Sequence, residues 1–245
     1  MSIQIIPIKL KNDITPEDDI VELILSSLKK PIDDGDIIVV SQKIISKQEG
    51  RTINLNSVIP SELSIGIASA YEKDPRLVEV ILSESKRIVR MEHGVIIVET
   101  NHNFICANAG IDESNVEKEY ATLLPINSDR SAKRIRDTLL QITGKNTAVI
   151  ISDTFGRPFR LGQTDHAIGI AGIESIKNYE GMPDTFGKIM RVTAIAIIDE
   201  LCGAAELVMG KTNKSPIAII KNYNFESKDD SINSILRDKR EDLFR

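Results

Sequence analysis

Four stretches of this chain hold side chains whose types and spacing could do chemistry. In Ile150-Ile151-Ser152-Asp153-Thr154-Phe155-Gly156-Arg157-Pro158-Phe159-Arg160 an apolar run delivers a carboxylate and a hydroxyl at its end, a common way to hold a metal ion beside a nucleotide. Arg157 and Arg160 follow, guanidinium forks suited to a phosphate or a carboxylate, with surface salt bridging as the alternative. The continuation, Leu161 to Gly172, is polar and then Gly/Ala-rich, as though backbone passes beneath something bound. In Cys106-Ala107-Asn108-Ala109-Gly110-Ile111-Asp112-Glu113-Ser114-Asn115 small residues lead into carboxylates and an amide, hard oxygen donors of the kind Mg²⁺ or Mn²⁺ accepts. A solvated turn is the other reading there, since Asp and Asn are ordinary turn formers. Ser41-Gln42-Lys43-Ile44-Ile45-Ser46-Lys47 places two lysines just past an apolar run. In Asp199 to Lys211, Asp199 and Glu206 share one helix face, although scattered acids on a half-exposed helix account for Asp199 and Glu200 equally well.

These residues need elements to carry them. Residues 3–8 read as a strand, and Thr15-Pro16-Glu17-Asp18 reads as a helix start, with Thr15 as cap and Pro16 in the first turn. Ile20, Leu23, Ile24 and Leu28 form its buried face, and Asp33-Asp34-Gly35 closes the segment. Ile37 to Val40 is a buried strand, so the lysine-bearing stretch begins at a strand's carboxyl end, where open α/β sheets bind ligands. Helices are predicted over 61–73 and 75–85, then strands over 87–91, 95–99 and 103–106, the last two joined as a hairpin through Asn101-His102-Asn103. Asp129 is expected to cap a helix ending at Gly144, with Ile135, Leu139 and Ile142 on one face. A strand over 147–152, a glycine-rich stretch over 155–173, a helix from about 192 to 209 stopped by Gly210, and a strand over 217–220 complete the pattern. The whole of 1–245 is taken as one α/β (α+β mixed) unit, with a lobe boundary near 107–130 and a polar, mobile tail over 226–245.

Composition narrows the classes. With 41% hydrophobic and 27% charged residues the chain can bury a core, and 31 Lys+Arg against 36 Asp+Glu leave no global positive field for a nucleic acid. No Trp and few other aromatics argue against a base-stacking platform. The N-terminus lacks the pattern of a secretory signal and no apolar run is long enough to span a bilayer; with two cysteines, this points to a soluble cytoplasmic protein. No Walker-type phosphate loop, dinucleotide fingerprint or nucleophile elbow occurs. The three histidines are isolated, His166 beside Asp165 being the one to watch, and Cys106 and Cys202 fall on core-like positions.

The stretches GDIIVVSQKIISKQEGR (35–51), CANAGIDESN (106–115), ISDTFGRPFRLGQTDHAIGIAG (151–172) and DELCGAAELVMGK (199–211) together resemble the F420-0:L-glutamate ligases, in that family's order. The resemblance implies a two-lobed fold forming an intertwined homodimer, with the nitroreductase-like domain of some fused relatives absent. It implies GTP-dependent addition of L-glutamate to coenzyme F420-0, then of a further γ-linked glutamate, with two divalent ions (Mg²⁺ or Mn²⁺) and K⁺. Carried over, Asp112 and Asp153 are metal ligands, and Thr154 contacts a second metal. Lys9, Leu10, Lys11, Asn12, Gln42, Lys43, Lys47, Asn115 and the segment Met209-Gly210-Lys211 form the GTP site. Some relatives have Gln where this chain has Lys211; a cationic Lys is no ligand, so the second metal would rely on Glu206 or water. The chemistry agrees: a carboxylate must be activated before an amine attacks it, most simply as an acyl phosphate, and phosphoryl transfer needs positioning and charge neutralisation, with Arg157 and Arg160 assisting. A metal-dependent nucleotide phosphohydrolase and a non-catalytic nucleotide- or deazaflavin-binding module are the competing readings.

Overall fold

Aliphatic, β-branched runs make the main sheet because both of its faces are covered. A computed structural model describes residues 2–242. The first elements are β1 (Gln4–Ile8), α1 (Ile20–Ser27), β2 (Ile37–Ser41), α2 (Gln42–Gln48) and β3 (Thr52–Asn54). Next come α3 (Glu62–Tyr71), α4 (Pro75–Ser83), β4 (Ser85–Glu92), β5 (Val95–Thr100), β6 (Ile105–Ala107) and β7 (Tyr120–Thr122). Then follow α5 (Ser128–Thr143), β8 (Ala148–Gly156), β9 (Gln163–Ala171), β10 (Lys177–Asn178), β11 (Ala194–Ile195), α6 (Ile197–Met209) and β12 (Ile217–Lys221). The five-stranded sheet runs β1-β12-β2-β8-β9, with β2 and β8 parallel and the other pairs antiparallel. Ile37 to Val40 and Ala148 to Ile151 are buried throughout, as strands between two covering layers must be. No helix among the described residues is long and apolar enough to cross a membrane.

The chain builds two apolar cores. One surrounds the five-stranded sheet; the other gathers Leu55, Ile67, Val78, Ile81, Ile96, Val98 and Ala121 from α3, α4, β5 and their neighbours. The smaller core belongs to an excursion between β3 and β7, which pair antiparallel and close its base. The return crossing falls between Leu123, on the smaller core, and Leu124, on the larger.

Several expectations need correction. Thr15 does not cap α1: its N–H and hydroxyl both donate to Asp18 Oδ2, at 2.7 and 3.0 Å, closing a turn in which Pro16 lies outside the helix. The cap is Asp19, whose carboxylate accepts from Val21 and Glu22 N–H. Asp129 does not cap α5 either; Asn127 accepts from Arg130 N–H. The Asp129 carboxylate instead accepts from Ile170 N–H at 2.8 Å and Ser231 Oγ at 2.7 Å, joining helix, sheet and tail. Ile142 is exposed, while Ile135 and Leu139 are buried as expected. The helix expected from about 192 starts at Ile197, because the chain before it is used in β11. The glycine-rich stretch 155–173 is mostly strand, and Gly169 has its role in β9: a Cβ there would lie 2.4 Å from Ser128, so only glycine lets α5 start against the sheet. Within the polar tail, Ile232 is buried and Asp230 accepts from Ser175 and Ser234.

Candidate active site

β2 ends at Ser41 opposite Ser152 while β8 runs on to Gly156, so α2 and the Asp153-Thr154 stretch of β8 leave the sheet's paired centre at the same edge. A register shift between Ile151 and Ser152 turns β8 locally, and β9 returns beside it with Thr154 opposite Asp165 and Asp153 opposite His166. A cavity of about 730 Å³ opens at this edge. The stretch after β1, α2, the 107–115 turn, the ends of β8 and β9, and the chain beyond α6 line it.

One wall is built around Asp112. Lys43 Nζ lies 2.6 Å from Asp112 Oδ2 and 2.6 Å from Ser114 Oγ, while Asp112 Oδ1 accepts from Ser114 N–H at 2.6 Å. Lys47 Nζ donates to the Asn115 carbonyl at 2.8 Å. One turn of α2 thus pins the acidic turn with two ammonium groups. Burial would raise the Asp112 carboxyl, but the hydrogen bonds from Lys43 and Ser114 and the Lys43 charge hold it below its ordinary range. Gln42 is buried and donates to Ser46 Oγ at 2.7 Å and the Leu123 carbonyl at 3.0 Å, tying α2 to the return crossing. Asn108, Ala109 and Asn115 all take left-handed backbone; for buried Ala109 this is strain, stored beside the cavity.

The strands β8 and β9 carry two carboxylates in different circumstances. Burial pushes the Asp153 carboxyl up to about 7, the charges of Asp165 and Asp112 push the same way, and the Thr154 N–H at 2.8 Å and the Lys211 charge offset only part of this. Asp165 is buried too, yet its Oδ1 accepts from Thr154 Oγ1 at 2.6 Å and from Lys211 Nζ at 2.9 Å. Glu206 Oε1 stands 3.7 Å from the same ammonium. Ser152 Oγ and Asn108 Oδ1, on residues lining the cavity, are buried without a hydrogen-bond partner among the described residues.

The cavity brings together Leu10, Asn12, Gln42, Lys43, Lys47, Asp112, Asn115, Asp153, Thr154, Met209, Gly210 and Lys211. It does not take in Lys9 and Lys11, which are exposed on either side of buried Leu10, nor Glu206, which reaches it through Lys211. Arg157 and Arg160 lie on the hairpin tip beyond Gly156 and Gln163, the last pair at the rim. His166 Nε2 meets Thr164 Oγ1 at 2.8 Å and Nδ1 lies 3.5 Å from Asp199 Oδ2, away from the lining. Cys106 and Cys202 are buried core thiols; burial raises both, Cys106 to about 12. Sequence reasoning missed Asp165, Asn108 and Ser152. Asp165 would have been found by reading 163–171 as a strand folded back on 148–156, which sets it opposite Thr154.

Asp112 and Asp153 are hard oxygen donors facing one cavity, and the raised Asp153 carboxyl is a group that a cation would relieve, so this pair fits Mg²⁺ or Mn²⁺. Among the described residues no cluster of three or more His, Cys, Asp or Glu is placed to hold a metal by itself. Mg²⁺ ordinarily takes one or two carboxylates and completes its shell with water and phosphate oxygens.

The sequence model for F420-0:gamma-glutamyl ligase matches residues 8–222, a span that contains every wall of the cavity. The chain belongs to this ligase family. It is 46% identical over 234 residues to the coenzyme F420:L-glutamate ligase of Methanothermobacter thermautotrophicus, covering 93% of each chain. It is 44% identical over 216 residues to the protein of that name from Methanocaldococcus jannaschii, covering 88% of this chain and 86% of the relative. With the Archaeoglobus fulgidus protein of that name the identity is 35% over 246 residues, covering 100% of this chain and 97% of the relative. The family match thus spans the smaller core and every buried residue of the larger one except Ile232.

Proposed function

We propose that this chain is a GTP-dependent ligase that joins the amino group of L-glutamate to a carboxylate of coenzyme F420-0 and then adds a further γ-linked glutamate. The observation that carries this reading is the family match laid over a cavity whose opposed carboxylates and lysines suit a triphosphate. Lys43 and Lys47, fixed on one turn of α2, present positive charge to phosphate oxygens without having to be ordered on binding. Asp112 and Asp153 would hold one Mg²⁺ or Mn²⁺, which when bound supplies charge neutralisation for transfer of the terminal phosphate to the acceptor carboxylate. The glutamate amine then attacks the resulting acyl phosphate and phosphate leaves, so no side-chain nucleophile is required. Two buried, unactivated thiols and a histidine outside the lining agree with that. Arg157 and Arg160, on the hairpin tip next to the cavity-lining pair Gly156 and Gln163, are suited to the acceptor's anionic groups.

The second divalent ion meets a different arrangement at Thr154 and Glu206, where the oxygens already face an ammonium, and the residues there do not fit it. A K⁺ requirement and a homodimer complete the proposal; omission of K⁺ and light scattering test them. The central test is mass spectrometry of F420-0 incubated with L-glutamate, GTP and Mn²⁺. A gain of one and then two glutamyl units is expected. Phosphate release that is indifferent to both acceptors would replace the ligase reading with a phosphohydrolase, and GTP binding without any product would replace it with a carrier.

A further inference from the structure

We infer that the Lys211 ammonium is the resident cation of the β9 side of the cavity: it fills the oxygen nest of Thr154, Asp165 and Glu206, so this side takes no exchangeable metal ion. The inference deepens the proposed function, since it sets how many metal ions that cavity uses.

The nest is assembled by three elements. Thr154 comes from β8, Asp165 from the facing position on β9, and Glu206 from the last turn of α6. Lys211 Nζ lies 2.6 Å from Thr154 Oγ1, 2.9 Å from Asp165 Oδ1 and 3.7 Å from Glu206 Oε1. The Thr154 hydroxyl donates to Asp165 at 2.6 Å and accepts from the ammonium, so its proton and a lone pair are both committed. The lysine is delivered by the end of α6: Gly210 takes φ +58°, and a Cβ there would meet the Asn213 amide at 2.7 Å. Glycine thus permits the turn that swings the next side chain back over the cavity.

Electrostatics explains why a cation belongs there. Asp165 is a buried carboxylate, and a buried charge without a partner is costly. Lys211 answers it from a position that is itself 56% exposed, which lowers the cost of desolvating the ammonium. Lys43 pairs with Asp112 as well, but that carboxylate is 39% exposed and has room for a second partner; here Asp165 is 5% exposed and the Thr154 hydroxyl is already committed to Asp165 and the ammonium, so a divalent ion cannot be added beside Lys211. Mg²⁺ needs ligand oxygens at about 2.0–2.1 Å, and the resident ammonium would stand within a few ångströms of it as a like charge. Asp153, one residue before Thr154, accepts a backbone N–H and meets the Lys211 ammonium only through its longer-range charge, so its oxygens are left for an exchangeable ion.

Counting Mn²⁺ on the full chain by electron paramagnetic resonance, without nucleotide and with GTP, tests this. Lys211→Gln removes the ammonium and leaves a neutral oxygen ligand in its place. The variant is expected to bind one more Mn²⁺ per chain than the wild type, and the wild type is expected to show the spectrum of isolated ions. Equal counts in the two folded proteins would overturn the inference. If the variant does not fold, the wild-type spectrum still decides: the broadening of two coupled Mn²⁺ ions in one cavity would overturn it, and isolated ions would support it. An extra ion in the variant with no glutamylated product from either protein would discard the ligase reading and keep this one. Product from the wild type with a coupled ion pair would do the reverse.

Discussion

Asp153 and Asp165 stand on paired strands, one residue apart across the hairpin, and the fold treats them in opposite ways. Asp165 has its counter-charge built in: a hydroxyl and an ammonium reach one oxygen at 2.6 and 2.9 Å. Asp153 has a backbone N–H at 2.8 Å and two like charges within range, and its carboxyl rises to about 7. The difference separates scaffold from working group. Asp165, matched, holds two strands and a helix end together, whereas Asp153 is kept at a cost that a bound cation repays.

The contrast breaks most sharply by substitution. Asp153→Asn should reduce glutamate addition by about 100-fold or more while raising the melting temperature of the metal-free protein by roughly 3 °C or more, since it removes an unpaired charge. Asp165→Asn should move stability the other way, lowering it by roughly 2–4 °C, because the Lys211 contact is lost. Parallel turnover and calorimetry check both, and a metal-free Asp153→Asn protein less stable than wild type would erase the distinction.

Acidity gives the next largest effect. The Asp153 carboxyl has a folded value of about 7 against an ordinary 3.8, so the folded metal-free chain holds a proton that the unfolded chain has released. Its stability should therefore fall as pH rises from about 4 to about 7 and level off above, and Asp153→Asn should flatten this limb in denaturant titrations. Mn²⁺ affinity should climb over the same range by about tenfold per pH unit below 7, because the ion must displace that proton. On the other wall, Lys43→Met should raise KM for GTP by about tenfold with a smaller change in kcat, since the 112–115 turn loses its tether.

The smallest effect lies far from the cavity. Burial would raise the Asp230 carboxyl, but hydrogen bonds from Ser234, Ser175 and Ser231 bring it down to about 2. This depressed group contributes stability above its unfolded value near 3.8, lost as pH falls towards 2. Asp230→Asn should lower the melting temperature at neutral pH by about 1–2 °C and leave turnover unchanged.

What the sequence could show follows from where its signals are local. The strands at 37–40 and 148–151 announce themselves as unbroken β-branched runs, and Gly144 and Gly210 mark helix ends by a backbone conformation that favours glycine. Lys43 and Lys47 were legible as lysines past a strand end, and Asp112 and Asp153 as acids leaving small or apolar runs. Caps were harder, because Asp18, Asp19, Asn127 and Asp129 are all competent and tertiary partners choose among them. Asp165 stayed hidden because its meaning lies in the pairing of β9 with β8. Its Gly/Ala-rich continuation reads as backbone passing beneath something bound, and only the packing of Ser128 on Gly169 shows why the strand needs that glycine.

The central claim is that Asp112 and Asp153 share one cation against a triphosphate. Anomalous diffraction from crystals grown with Mn²⁺ and a non-hydrolysable GTP analogue tests it most directly. A Mn²⁺ peak coordinated by both carboxylates and by phosphate oxygens is the predicted result. Nucleotide in the cavity with no Mn²⁺ on either carboxylate would contradict the account.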